Sequence, residues 1–516
     1  MSAETVGIVE APAPGVDVTA KAPAWEPRIV ALVCNWCSYA GADMAGTTRR
    51  SYAANVRVVR LMCTGRIDPM FIVKAFEEGA DGVLVSGCHP GDCHYVQGNF
   101  YARRRFTAFR ALMEFLGLDQ RRLHFAWVSA SEGAKWSGVV DQVTQAVREA
   151  GPLLDWGHSS AGRSTGPAPR AESAGVSGSA ADGSFGPSVS RTPLSAEDNE
   201  AITAHLQGLA ARLLSEGEAG TVVGYTAGSL PGQMVPVFAT RPEDARALAW
   251  NERCVNNLTV YVREALKKAP GDRVAVVVKS CDARTVAALH RENQIDRERV
   301  LLLGVSCAGV WEKGRMAGKC HACREALSPL SDWTLTPEGA VKAERPETAQ
   351  GRAPETAQGR APETAQGRAS EAETARVEDA RDTEIVALEA MTAQERWDYW
   401  QRQFALCLRC YACRAVCPMC YCDTCISDAR RPQWIPAAFD GKGNTSWNIS
   451  RAVHLAGRCT GCDECYRACP AGIRLDLINR RLVREIEDRF GYNMETDPGA
   501  PAPLTTFQPN DPDEFL

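Results

Sequence analysis

Short apolar runs alternate with longer amphipathic stretches in two separate portions of the chain, and segments of small or polar residues divide them. In the first portion Arg28–Val33, Val56–Met62, Gly82–Gly87 and Leu123–Val128 are rich in Val, Ile and Leu, the pattern of buried parallel strands. Pro69–Glu78 and Tyr95–Leu116 between them read as helices. Strands interrupted by helices predict a doubly wound α/β domain. Val274–Val278 and Val300–Val305 repeat the strand signal, after a helical stretch at Asn256–Lys268, and predict a second α/β domain. Further on, Thr392-Ala-Gln-Glu395 is a capping box that opens a helix through Trp397, Trp400 and Phe404. The last domain is expected to be mostly helical.

The divisions set the domain boundaries. Residues 1–27 are Ala/Pro-rich and expected to be flexible, and 28–150 form the first α/β domain. Residues 151–194 make a Ser/Gly-rich linker, and 195–335 the middle domain. Residues 336–384 contain Pro-Glu-Thr-Ala-Gln-Gly-Arg-Ala repeated from Pro346, Pro354 and Pro362. That period is too short for a solenoid unit and supplies nothing for a core, so it predicts a tether. Residues 385–492 form the helical domain and 493–516 a Pro/Asp-rich tail. A chain of 516 residues exceeds a single core, in agreement with several domains.

Charge excludes more than it suggests. With 58 basic and 63 acidic residues and no basic block, nothing points to nucleic acid. The N-terminus has no secretory pattern, and no run reaches the ~18 apolar residues of a membrane span. The 21 cysteines gather at metal-ligand spacings in a chain without an export signal. Disulfides are therefore not expected, and a reducing cytoplasm is.

The cysteines carry the chemistry. Cys407-x2-Cys410-x2-Cys413-x3-Cys417-Pro418 is repeated as Cys459-x2-Cys462-x2-Cys465-x3-Cys469-Pro470. This is the ligand spacing of a pair of [4Fe–4S] clusters, in which the fourth thiolate of each run crosses to the other cluster. One cubane is then expected on Cys407, Cys410, Cys413 and Cys469, the other on Cys417, Cys459, Cys462 and Cys465. Cys420, Cys422 and Cys425 are surplus, and zinc, a further cluster, redox-active thiols and plain burial all stay open for them. In the first domain Cys34 and Cys37, Cys63, and Cys88 and Cys93 each follow a predicted strand. The carboxyl ends of parallel strands form the crevice where sites gather, and five thiols there exceed by one the ligands of a [2Fe–2S] cluster. Which is spare stays open. His89 and His94 either replace a thiolate, as histidine does in Rieske centres, or hydrogen-bond nearby. In the middle domain Cys281 and Cys307 again follow strands, with Cys320-x2-Cys323 downstream, a set suited to one [4Fe–4S] cluster or to zinc. Cys254 is a substitute ligand or a buried thiol.

Resemblance adds partners. Residues 28–136 resemble the delta subunit of methyl-viologen-reducing hydrogenase, the [2Fe–2S] partner of heterodisulfide reductase. The matching stretches are Cys34-Asn-Trp-Cys37-Ser-Tyr, Gly41-Ala-Asp43-Met-Ala-Gly46, Arg60-Leu-Met-Cys63-Thr-Gly-Arg66, Gly87-Cys-His-Pro-Gly-Asp-Cys-His-Tyr95 and Ser129-Ala-Ser-Glu-Gly133. This implies a module passing electrons from a hydrogenase or formate dehydrogenase into a flavin-containing reductase partner. The middle domain resembles more loosely the beta-subunit family of deazaflavin-reducing hydrogenases and related dehydrogenases. That likeness rests on Lys279-Ser-Cys-Asp-Ala-Arg284, Gly304-Val-Ser-Cys307 and Lys319-Cys-His-Ala-Cys323, among others. Some members of that family bind flavin, so FAD stays possible, although no G-x-G-x-x-G or Walker loop points to a nucleotide. The last domain resembles the helical ferredoxin of heterodisulfide-reductase-type subunits.

The leading expectation is an electron-transfer subunit without a substrate or catalytic residues of its own. It would link a hydrogenase or formate dehydrogenase to a heterodisulfide-reductase-like, flavin-containing partner, for which electron bifurcation stays open. The alternatives are a flavin-dependent oxidoreductase of a deazaflavin or nicotinamide, and an iron–sulfur sensor.

Overall fold

The computed structural model describes residues 25–343 and 380–516, except 155, 158–192, 313, 322, 324, 495–498 and 514. The octapeptide repeats and most of the Ser/Gly-rich linker lie outside the described residues.

Strands β1 (Ile29–Cys34), β2 (Val56–Leu61), β3 (Gly82–Gly87) and β4 (Leu123–Trp127) form a parallel sheet in the order β2-β1-β3-β4. Helices α1 (Ser38–Thr47), α2 (Pro69–Glu77), α3 (Gly98–Phe115) and α4 (Gly133–Ala150) lie between and after them. The pleat sorts the side chains of β1 by face. Ile29, Ala31 and Val33 pack with Ala45 and Trp136 of α1 and α4, whereas Leu32 packs with Met70 and Phe106 of α2 and α3. One expectation needs correction: the apolar pattern predicts a buried β2, yet Arg57, Val58, Val59 and Arg60 are exposed. This strand is the edge of the sheet and pairs only with β1, so a Val-rich run does not imply cover on both faces.

The second sheet has the order β12-β11-β8-β7-β5-β6. Helix α5 (Ala196–Ser215), opened by a Ser195/Asp198 capping box, precedes β5 (Thr221–Ala227) and β6 (Met234–Ala239). Then come α6 (Val262–Lys268), β7 (Val274–Val278), α7 (Ser280–Arg291) and β8 (Val300–Val305). A small hairpin of β9 (Trp311–Glu312) and β10 (Arg315–Met316) leads through α8 (Gly318–His321) to β11 (Trp333–Thr336) and β12 (Gly339–Lys342). The inner strands β5, β7, β8 and β11 are parallel, and the edges β6 and β12 are antiparallel.

The C-terminal region is helical: α9 (Ala380–Glu389), α10 (Ala393–Ala405), α11 (Ala412–Ala415), α12 (Gly441–His454), α13 (Glu464–Arg467) and α14 (Leu475–Phe490). The Thr392/Glu395 capping box forms as expected. Helix α9 begins inside the stretch assigned to the tether, and its Ile385 and Leu388 are buried. This region packs against both sheets. Trp397, Trp400 and Phe404 share a core with Phe106 and Phe115, while Leu455, Ile486 and Tyr492 join the core around β7 and β8.

The tail is docked. Arg104 on α3 holds both oxygens of Asp511 at 2.6 and 2.8 Å, Phe507 stacks on Phe100, and Phe515 packs on Phe125. Leu516 exchanges backbone hydrogen bonds with Phe125 and Trp127 and so lengthens the sheet beyond β4. No helix among the described residues is long and apolar enough to cross a membrane.

Candidate metal centres

In the first domain Cys34 ends β1, Cys37 caps α1, Cys63 follows β2, and Cys88 and Cys93 follow β3. The order places β3 beside β1, so the chain leaves these neighbours in different directions and opens a crevice at their carboxyl ends. All five thiols meet there. The sulfurs of Cys34, Cys37 and Cys88 lie within 4.8 Å of one another, and those of Cys63 and Cys93 are 3.7 Å apart. Gly98 at the start of α3 closes the crevice, because a Cβ there would stand 2.4 Å from the Cys63 sulfur.

The thiols act mainly on each other. The hydrogen bond from Cys37 holds Cys34 below the ordinary thiol range, and the same contact pushes Cys37 up to about 12. Cys34 likewise raises Cys63. His89 pairs with Glu132 at 2.7 Å and His94 stacks on Trp36 at 3.9 Å; neither joins the close thiol group. Nothing in the cysteine spacing points to the Glu132 contact, although Glu132 lies in the Ser129–Gly133 stretch that carries part of the resemblance.

In the middle domain Cys281 lies in the first turn of α7 after β7, Cys307 follows β8, Cys320 lies in α8 and Cys323 just beyond. These four interact electrostatically in succession: burial and Asp282 push Cys281 well up, with Cys307 acting in the same direction, and Cys320 and Cys323 act on Cys307, which burial pushes up to about 11. Cys254 is fully buried and its sulfur accepts the Asn251 amide at 3.5 Å. Beside the set lies a buried polar knot that the cysteine spacing did not reveal. Lys279 pairs with Asp282 at 2.7 Å and donates to Tyr225 Oη (2.7 Å), the Cys254 carbonyl (3.0 Å) and the Asn256 carbonyl (2.8 Å).

The two C-terminal runs follow one backbone path. The residue before the second cysteine of each run has positive φ, Arg409 at 50° and Gly461 at 66°. The residue after it does too, Tyr411 at 59° and Asp463 at 58°. Left-handed residues that are not glycine are uncommon, and such turns aim successive N–H groups into a concavity, as around many Fe–S centres. Cys417, Cys459, Cys462 and Cys465 line a single cavity together with Arg451 and Asn479. The other four also gather: Cys407, Cys410 and Cys469 all act on the Cys413 thiol. Arg451 stands between the sets; it donates to the Cys413 carbonyl at 3.1 Å, and the thiolate character of Cys465 and Cys417 favours its charge.

The surplus cysteines Cys420, Cys422 and Cys425 lie in three different surroundings. Cys420 hydrogen-bonds Cys417, which raises Cys417 and lowers Cys420. Cys425 packs towards the first domain's core, and Cys422 is exposed.

Burial first, and neighbouring anionic groups next, disfavour thiolates here and push Cys459 and Cys462 up to about 12. Metal ligands must be deprotonated, so buried sets of this kind suit a cationic metal core that supplies the missing positive charge. No disulfide joins any of the cysteines. The three regions thus present thiol sets that fit iron–sulfur clusters.

Residues 29–151 match the family model of the methyl-viologen-reducing hydrogenase delta subunit. The vhc iron-sulfur protein of the F420-non-reducing hydrogenase of Methanococcus voltae is 48% identical over 128 residues, which is 25% of this chain and 89% of that protein. The corresponding F420-non-reducing hydrogenase iron-sulfur protein of Archaeoglobus profundus is 50% identical over 129 residues, 25% of this chain and 94% of that protein. One component of the ferredoxin:CoB-CoM heterodisulfide reductase of Methanosarcina mazei is 45% identical over 127 residues, 25% of this chain and 16% of that protein. Among solved structures, the F420-reducing [NiFe] hydrogenase complex from Methanosarcina barkeri aligns with 22% of this chain and 43% of that chain, at 23% identity and a TM-score of 0.20. With the five-thiol crevice inside a segment that nearly spans the two hydrogenase iron-sulfur proteins, the chain belongs to the methyl-viologen-reducing hydrogenase delta subunit family.

Proposed function

We propose that the chain is an iron–sulfur electron-transfer subunit that links a hydrogenase or formate dehydrogenase to a heterodisulfide-reductase-like complex containing flavin. The observation that carries this reading is the placement of the thiols: separate sets on three regions, the third packed against the other two. The relatives, named as iron–sulfur components of hydrogenases and a component of heterodisulfide reductase, support the kind of partner.

In this reading Cys34, Cys37, Cys63, Cys88 and Cys93 supply the four ligands of a [2Fe–2S] cluster and one spare thiol. Cys281, Cys307, Cys320 and Cys323 hold a [4Fe–4S] cluster. Cys407, Cys410, Cys413 and Cys469 hold a second cubane, and Cys417, Cys459, Cys462 and Cys465 a third. Bound clusters supply one-electron redox chemistry, and the chain sets their potentials through charge, hydrogen bonds to sulfur and exclusion of water. Asn479 donates to the Cys465 sulfur at 3.5 Å, Arg451 places positive charge between two sets, and Lys279 does so beside another. The abundance of reduced cysteines suits a reducing cytoplasm.

A second reading is favoured by a cavity of about 840 Å³ lined by Asn199, Gly232, Arg253, Trp311 and Arg467, a size that accommodates small ligands and cofactors. There the middle domain would hold flavin and act on a deazaflavin or nicotinamide. EPR and absorption spectra of the anaerobically purified, reduced chain separate the two. The first reading predicts distinct binuclear and cubane signals and no flavin band. A stoichiometric flavin band would establish the second, and DNA binding that responds to oxidation would favour a sensor.

A further inference from the structure

The middle and C-terminal thiol sets meet through a lysine. Lys319, next to Cys320 on α8, donates from Nζ to the backbone carbonyl of Cys462 at 3.0 Å. The residue is half-buried at the junction. Beside it the buried hydroxyls of Thr285, on α7, and Thr460, next to Cys459, are 3.4 Å apart. The junction is built, not incidental. Arg458 holds Glu292 through its Nε at 3.0 and 3.1 Å and its Nη2 at 2.7 Å, and Arg263 donates to the Tyr421 carbonyl at 2.6 Å. Cys307, Cys417 and Cys459 pack on the same apolar core. Lys319, whose chain neighbour Cys320 belongs to one set, thus ties directly to the backbone of Cys462 in the other.

We propose that Lys319 is a positioning residue at an electron crossing between the set Cys281/Cys307/Cys320/Cys323 and the set Cys417/Cys459/Cys462/Cys465. Its hydrogen bond fixes the two sites against each other, and its ammonium raises the reduction potential at both. One electron leaves the first site, which is oxidised by one equivalent, and arrives at the second, which is reduced by one; no bond forms or breaks and no proton moves. The reverse transfer balances in the same way. A charge shared by two adjacent sites keeps their potentials moving together, which favours passage over trapping. The inference rests on the reading of both sets as cluster ligands.

The test is an EPR-monitored redox titration of the full-length chain, purified anaerobically with its clusters. The fully reduced wild type is expected to show mutual magnetic broadening of the middle signal and one C-terminal signal. Two signals that add as isolated centres would overturn the crossing without any substitution. Lys319→Gln is expected to lower the reduced-to-oxidised ratio of those two centres about tenfold at fixed poise, about 59 mV for a one-electron couple. The first-domain and remaining C-terminal centres should stay unchanged, and Lys319→Arg should restore most of the shift. A Lys319→Gln protein with every signal present and no selective shift would also overturn the proposal. The absence of all iron–sulfur signals from the wild type is a separate outcome, and it would remove the electron-transfer reading itself.

Discussion

The first and middle domains solve the same problem with different surroundings. Each places thiols just beyond the carboxyl ends of parallel strands, Cys34 and Cys88 after β1 and β3, Cys281 and Cys307 after β7 and β8. In the first, the sulfurs crowd until they hydrogen-bond each other, and other thiols are the principal groups acting on Cys34, Cys37 and Cys88. In the middle domain burial acts first and fixed charges next; Asp282, Lys319 and Lys279 all act on Cys281. Strand topology therefore brings thiols together, but side chains outside the ligand spacing decide the electrostatics. In our reading the crowded crevice suits a compact binuclear cluster, and the charged one a cubane poised by its lysines.

Serine substitutions give the largest expected effect. Cys34→Ser, if Cys34 is not the spare thiol, should remove about two iron per chain and Cys307→Ser about four, each with loss of its own EPR signal only. Equal losses would erase the distinction between the two sites, and loss of every signal together would mean that the regions are not independent.

Next in size is Lys279→Met. Lys279 and Asp282 are both almost wholly buried, and removal of one partner of such a pair destabilises by about 3–5 kcal/mol. Chemical denaturation followed through the middle domain should show that loss, and Lys279→Met/Asp282→Leu should recover part of it. Among the described residues the first crevice is shaped by packing rather than by such a pair. Gly98→Ala, which drives a Cβ towards the Cys63 sulfur, should cost about 1–3 kcal/mol and weaken the first-domain signal while the middle signal stays. An unchanged first-domain signal would show that the crevice is less tightly closed than its geometry implies.

Much of this was legible in the sequence. Val274–Val278 and Val300–Val305 form strands with the expected bounds, because short apolar runs between helical patterns have few other outcomes. The convergence of five thiols followed from strand ends alone. Edge strands were harder. β2 has the composition of a buried strand and is exposed, and β6, which includes Pro236, and β12 gave no clear signal, since an edge needs cover on only one side. The burial of Arg451 carries no sequence signal, and that of Lys279 none beyond the resemblance of its stretch, because a buried cation in sequence looks like any surface charge. The docked tail was missed for a related reason. Its Pro/Asp-rich composition suggests solvent, and only the partners Arg103 and Arg104, buried on α3, reveal what Asp511 is for.

The central claim is that these thiol sets hold iron–sulfur clusters. Metal and acid-labile sulfide analysis of the anaerobically purified chain tests it most directly. The account predicts about 14 iron per chain, with sulfide in proportion and no stoichiometric zinc. Iron-free protein with zinc bound in the thiol sets would contradict it.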